Sequence, residues 1–430
     1  MAESTLPFLV ERDHPLRRAL TEEMHVRRFP PLTPPLRMTQ LLMLTGEENV
    51  DDRRAHAAKL FAKYGALLAP KARYYTWQLR DQHLVWEQHT EFSTYSLIRT
   101  GEFAEPFGRS TLEDVDPQWL AAMPGRVLRA TQVAFVDRGS VEPTAEQLRD
   151  WFNFDELVCC DVFGGEARIW SDFRLGADGF GRLLIRDQGL ASGSDAGRLV
   201  QRLQELGNYR NMALLGLPLA QSLTPSLSAL ERRLAALSRQ IAERAAAEDQ
   251  LLHELTSLSA ELARLMAETR YRMSATRAYS QLVQDRSMTL GVQRVRGFQT
   301  LIDFTDRRLT PAVRTCESFS QRAEELSEQA NWASSLLRAR IDTTLERQNT
   351  ELLQSMNRRA KLQLRLQQTV EGLSVLAISY YAIGILGYVT KSLNHVWPGL
   401  DPTMPLGIAA PFVVGAVWYG IRRLRTKLSD

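Results

Sequence analysis

EGLSVLAISYYAIGILGYVTKS, residues 371–392, decides how the chain is organised. Between Glu371 and Lys391 it runs for 19 residues without a charge. At about 1.5 Å rise per residue that run makes a helix of about 28 Å, close to the hydrocarbon thickness of a bilayer. A second apolar stretch, MPLGIAAPFVVGAVWYGI, covers residues 404–421 and is followed by Arg422, Arg423, Arg425 and Lys427. It carries Pro405, Pro411 and several glycines, which membrane helices tolerate better than soluble ones. A buried core hairpin has a similar composition, but the flanking charge argues for the membrane. Arg358, Arg359, Lys361 and Arg365 precede the first stretch, whereas the linker KSLNHVWPGLDPT holds only Lys391 and Asp401. The positive-inside rule then leaves both termini cytoplasmic at an inner membrane. The expected order is a transmembrane helix over 372–390, an external loop over 391–403, a second transmembrane helix over 404–421 and a basic tail over 422–430.

Working upstream, residues 223–310 read as coiled-coil-like helices and 311–371 as a stalk. Leu230, Leu234, Leu237 and Ile241, then Leu251, Leu255, Leu258, Leu262 and Leu265, follow a 3–4 alternation broken by Arg244 and Glu248. Gly291, Gly297 and Pro311 predict an end near Met288 and a new start at Pro311. An unbroken helix from Pro311 through Thr390 would span about 120 Å.

Residues 1–222 have another character. RYYTWQL, HLVWEQHTEFSTYSLI, RVLRATQVAFV, ELVCCDVF, EARIWSDFRL and GRLLIRD are rich in aromatic and β-branched residues and bounded by Gly, Asp and Pro, so they read as strands. The last three are separated by short glycine turns and predict a meander. Helices are expected at 15–25, 51–64 and 194–216. The fold class is an α/β or α+β cytoplasmic domain, followed by long helices and a two-helix transmembrane hairpin.

Composition bounds the chemistry. The chain has 430 residues, 44% of them hydrophobic, and a net charge of +3, which gives no global case for nucleic acid. Cys159, Cys160 and Cys316 are too few and wrongly spaced for a disulfide scaffold or a CxxC metal site. The start shows no secretory signal. Glu87, His89 and Glu91 alternate along an expected strand and would share a face, where imidazole and carboxylates suit zinc or a similar ion; a solvated strand face looks the same. His14 and His25, with Glu22 nearby, are a second spacing of that kind on a helix. No serine elbow, HExxH or phosphate loop occurs, so an enzyme is not expected and no cofactor beyond a metal ion is implied. Ala377, Tyr381, Gly384 and Tyr388 fall on one face of the first apolar helix, with Val389 beside them, and would line any pathway through it. The basic residues flanking the two stretches either set topology on anionic lipid or form a positive ring.

Two resemblances follow. HPLRRALTEEMHVRRFPPLTPPLR, WEQHTEFSTYSLIR, RIWSDFRLGADGFGRLLI and LERQNTELLQSMNRRAKLQLRLQQTVEGLSVLAISYY resemble a bacterial domain-of-unknown-function family of membrane-anchored proteins over nearly the whole chain. The order of parts is similar to the CorA-type divalent-cation transporters, which implies a homopentamer. Residues 384–389, GILGYV, lie where that family carries Gly-Ile-Tyr-Gly-Met-Asn. Val389 takes the place of the asparagine and offers no oxygen ligand, so magnesium selectivity is not implied. The resemblance implies an oligomeric channel or transporter of altered selectivity. The alternative is a non-conducting, membrane-anchored scaffold or sensor with a cytoplasmic binding domain, its partner there being membrane lipid.

Overall fold

The computed structural model describes residues 12–17, 20–21, 29–46, 50–69, 72–243, 247–396 and 403–428. Its first compact unit, residues 1–246 and 253–332, is built on a nine-stranded mixed sheet. The strands are β1 (Leu36–Leu44), β2 (Tyr74–Leu79), β3 (Gln82–Gln88), β4 (Phe92–Thr100), β5 (Arg126–Val136), β6 (Val158–Val162), β7 (Ala167–Ser171), β8 (Gly181–Asp187) and β9 (Gln293–Arg294). Their order is β2-β3-β4-β1-β5-β8-β7-β6-β9. Only β5 and β8 pair in parallel; the other pairs are antiparallel, which makes the unit α+β. The expected meander is present as β6-β7-β8. HLVWEQHTEFSTYSLI is two strands with a turn at 89–91, closed by the His89 N–H donating to the Phe92 carbonyl at 2.8 Å.

Strand β1, LRMTQLLML, was not expected and lies inside the sheet between β4 and β5. Both of its faces are covered. Leu36, Met38 and Leu42 join one core with Val133, Phe135, Ile185 and Leu199. Leu41 and Met43 join another with Phe61, Trp86, Tyr95 and Trp119. A strand buried on both sides loses the alternation by which strands are read. Helix α1 (Val50–Lys63) and the short α2 (Pro117–Ala121) supply that second core. Helix α3 (Ala145–Trp151) contributes Leu148 to a third, under β6 and β7, with Phe107, Phe152 and Trp170.

Helix α4 (Gly193–Leu214) covers the first face, its register set by Leu199, Val200, Leu203, Leu206 and Met212. Three long helices follow: α5 (Gly216–Glu243), α6 (Glu248–Thr289) and α7 (Leu301–Val396). The leucine seam is buried as its spacing requires, including Leu230, Leu234, Leu255, Leu258 and Leu262, each at most 5% exposed. Arg233 clamps Glu261 at 2.8 Å, and Arg322 clamps Glu231 at 2.8 Å. Gly216 is where the three helices meet: an added Cβ would stand 2.3 Å from the Thr276 hydroxyl and 3.2 Å from Cys316 Sγ. Arg244 lies outside the described residues.

Helix α7 starts at Leu301, not at Pro311. Thr300 caps it, accepting from the Asp303 N–H at 3.0 Å while its own N–H donates to the Asp303 carboxylate at 3.3 Å. Pro311 sits inside the helix. The connector before α7 is stitched to the sheet edge through β9 on β6, with the Phe163 N–H donating to the Leu290 carbonyl at 2.7 Å. That cover removes an exposed strand edge.

The second compact unit contains residues 247–252 and 333–430. It holds the rest of α7 and helix α8 (Thr403–Leu428), with Leu406 packed 3.5 Å from where a Cβ on Gly387 would stand.

Two buried imidazoles give a pH test of the sheet unit. Burial, and for His56 also the nearby Lys59 charge, hold His56 and His83 below the usual imidazole range. His56 stacks on Trp119 at 4.4 Å. Well above the ordinary imidazole pKa of about 6.5 both states are neutral; as the pH falls through it the unfolded chain takes up protons that the native state refuses. The histidine contribution to stability measured by urea unfolding is therefore flat above about pH 7.5 and falls as the pH drops through about 6.5, by at most about 1.4 kcal/mol per pH unit per histidine. His83→Gln and His56→Gln each flatten that slope between pH 6.5 and 5.5.

Candidate functional site

The expected ligand trio is divided by the end of β3. Glu87 is in the strand, while His89 and Glu91 belong to the turn after Gln88. His89 Nε2 lies 3.3 Å from the Glu87 carboxylate, and its ring stacks on Phe92 at 4.1 Å. Glu91, 1% exposed, is ion-paired to Arg272 of α6, whose second guanidinium nitrogen stands 3.4 Å from the same carboxylate. Buried Arg53 of α1 holds the turn by donating to the carbonyls of His89 and Thr90 at 3.2 Å each. Among the described residues no group of three or more His, Cys, Asp or Glu side chains is gathered to hold a metal. His14 accepts from the Leu16 N–H at 3.2 Å; His25 and Glu22 lie outside the described residues.

Cys159 and Cys160 face opposite sides of β6, in separate cores, and Cys316 is buried on α7. Burial pushes the Cys159 thiol up to about 12 and Cys160 up to about 11, so neither supplies a thiolate at neutral pH.

In the second unit, the packed face of α7 carries Ser379, 3% exposed, and Gly387. Ala377, Tyr381, Gly384, Tyr388 and Val389 lie on the uncovered side, with Tyr381 71% and Tyr388 76% exposed. Gly384 meets no other group within 4 Å, so of the two glycines only Gly387 serves close helix packing. Arg358, Arg359, Lys361 and Arg365 are exposed on α7. Arg422 and Arg423 are exposed on α8, Arg422 lying 5.0 Å from the Trp418 ring. The side chains of Arg425 and Lys427 lie outside the described residues.

The most unusual chemistry is between β5 and α4, where sequence reading found nothing. Arg129 projects from β5 toward α4, where its Nη1, with two hydrogens to share, lies 2.7 Å from the Gln204 oxygen, 2.9 Å from that of Asn208 and 3.2 Å from that of Gln40. Asn208 also donates to Gln40 at 3.0 Å, and Gln40 donates to the Ser96 hydroxyl at 2.8 Å. Gln204, Gly207 and Asn208 share one face of α4 by their i, i+3, i+4 spacing. Gly207 is required there: an added Cβ would stand 2.6 Å from the guanidinium.

Beside this layer is a cavity of about 190 Å³, lined by Arg129, Arg210, Phe173, Thr131, Asn211 and Leu203 among others. Arg174 and Arg182 also reach it, but each has a carboxylate partner, Glu156 and Asp178. Arg129 and Arg210 have none among the described residues. Burial pulls the Arg129 guanidinium down to about 9, with Arg210 adding repulsion, and pulls Arg210 down to about 10, with Arg308 adding repulsion. Both values leave the groups charged at neutral pH.

The Glu91–Arg272 pair yields a direct test of its structural role. Removing one partner of a buried pair strands the other charge and costs about 3–5 kcal/mol. Glu91→Ala is expected to lower the urea midpoint accordingly, and Glu91→Ala combined with Arg272→Met to recover a large part of the loss. Equal loss in the single and double variants contradicts the pairing.

Neither a curated protein nor a solved structure matches the chain, so the likeness in plan to CorA-type transporters has no matched structure behind it. Residues 12–428 match the family described as Protein of unknown function (DUF3422). That match spans nearly the whole sequence, and the chain belongs to this family.

Proposed function

We propose that the protein is a membrane-anchored binding protein, non-conducting, whose C-terminal helices sit in an inner membrane and whose sheet unit is a cytoplasmic binding module. The observation that carries this reading is the unburied apolar surface of α7 over residues 372–390. Leu373, Leu376, Tyr380, Tyr381, Ile385 and Tyr388 are each more than 60% exposed. A window of the helix Leu301–Ser392 has mean hydropathy 1.7 with only 6% of it buried. Water is a poor environment for a contiguous apolar surface of this length, and lipid a good one. The other apolar helical run, within Gly193–Glu243, buries Ala213, Gly216, Ala220, Leu227 and Leu230, and 28% of its window is buried against 6% for that of α7. The basic residues on both flanks then meet anionic headgroups with both termini cytoplasmic.

A second reading rests on one feature. Tyr381, Gly384, Tyr388 and Val389 form a face that α8 leaves uncovered, and copies of the chain could close a ring around it, five in a CorA-like assembly. That face supplies hydroxyls and no charge, which favours anchoring over ion passage. In the anchoring reading the sheet unit works through its cavity and does no covalent chemistry.

The test is extraction of isolated membranes with alkaline carbonate. Full-length protein is expected to stay in the pellet, and protein ending at residue 371 to appear in the soluble fraction. Full-length protein that is soluble without detergent contradicts the anchor. Ion flux in liposomes that Tyr388→Ala alters would favour the ring over the anchor alone.

A further inference from the structure

The two arginines without carboxylate partners say what the cavity holds. We propose that the cavity between β5, β7, β8 and α4 is a binding site for a compact oxyanion of about two negative charges, of the phosphate-monoester type, held by Arg129 and Arg210. The inference deepens the binding-module reading and is independent of membrane attachment.

The geometry carries it. Arg210 Nη1 is enclosed and has no hydrogen-bond partner. Its guanidinium lies 4.5 Å from the Phe173 ring and 5.9 Å from Phe304, so aromatic faces cover it where an acid would be expected. Arg308 also lies over the Phe304 ring, at 3.9 Å, and adds positive charge. Arg129 meets only neutral amide oxygens. Charges drawn out of water in proteins are almost always paired. Of the four arginines at the cavity only Arg174 and Arg182 have carboxylate partners among the described residues, Glu156 and Asp178.

The ligand class follows from charge, shape and room. Planar guanidinium groups bind oxyanions through parallel N–H donors. Two unpaired charges match a phosphoryl group, which carries about −1.5 to −2 at neutral pH. A cavity of 190 Å³ has space for roughly a dozen water-sized positions, enough for that group and a small organic remainder. The remainder would lie against Leu203, Leu206 and Leu175, with the Asn211 amide in reach of a polar substituent.

The experiment uses the full chain in detergent, in phosphate-free buffer at fixed ionic strength. Thermal unfolding is followed while inorganic phosphate, succinate, chloride or neutral benzyl alcohol is added. Phosphate at saturating concentration is expected to raise Tm by about 3 °C or more, and chloride not to. Arg210→Met is expected to raise Tm in the absence of anion, by removing an unpaired charge, and to weaken phosphate binding about 10- to 100-fold. Arg210→Lys, which keeps the charge but loses the fork, should retain part of the response. Phosphate acting no differently from chloride on the unsubstituted protein overturns the proposal whatever the variants do. A response to succinate without phosphate overturns the phosphoryl assignment. A response only to benzyl alcohol leaves a binding cavity but removes the anion, and no response to any probe removes the binding module as well.

Discussion

A single guanidinium carried between two layers fastens the sheet unit together. Arg129 leaves β5 in the middle of the sheet and enters the interface with α4, where most positions are leucine, valine or methionine. Placing a charge there costs less when amide oxygens accept from it. Gln40 on β1, Gln204 and Asn208 on α4 supply the oxygens, and Gly207 supplies the space. The layer therefore sets β1, β5 and α4 in one register, because Gln204 and Asn208 reach Arg129 from one face of α4 and Gly207 leaves room for it there.

Other features of the unit follow from that register. With α4 held over β5, its next turn carries Arg210 to the aromatic pair Phe173 and Phe304, whose rings are 4.6 Å apart. Phe304 comes from the first turns of α7, and the connector before α7 is tied to β6 through β9. The cavity is what remains between these parts, walled by β5, β7, β8, α4, the start of α7 and the segment 172–180 between β7 and β8.

Much of this was legible in the sequence where local pattern carries the information. The aromatic and β-branched runs that form β2, β5, β6, β7 and β8 are found as expected, and the leucine spacing of α5 and α6 faces inward. Strand β1 escaped because burial on both faces erased its alternation. The start of α7 escaped because Pro311 is a stronger visual signal than the modest Thr300–Asp303 cap. Glu87, His89 and Glu91 look like an alternating set only while the strand is assumed to continue; it ends at Gln88, and Arg272, 181 residues away, claims Glu91. The arginine layer was invisible for the same reason: Arg129 is 75, 79 and 89 residues from its partners. The one local hint was the Gln204, Gly207, Asn208 face, polar and small on a helix whose neighbouring positions are apolar. Charge and spacing alone do not show which arginines lack an acid.

The central claim is that Arg129 is energetically coupled to its amide partners, and a double-mutant cycle measures that most directly. Arg129→Met, Asn208→Leu and the double variant are compared by urea unfolding of the full chain in phosphate-free buffer. Coupling of about 1–3 kcal/mol is predicted, with the double variant much less destabilised than the sum of the singles. Additivity within about 0.5 kcal/mol would contradict the account, because it would mean the two side chains stand near one another without depending on one another.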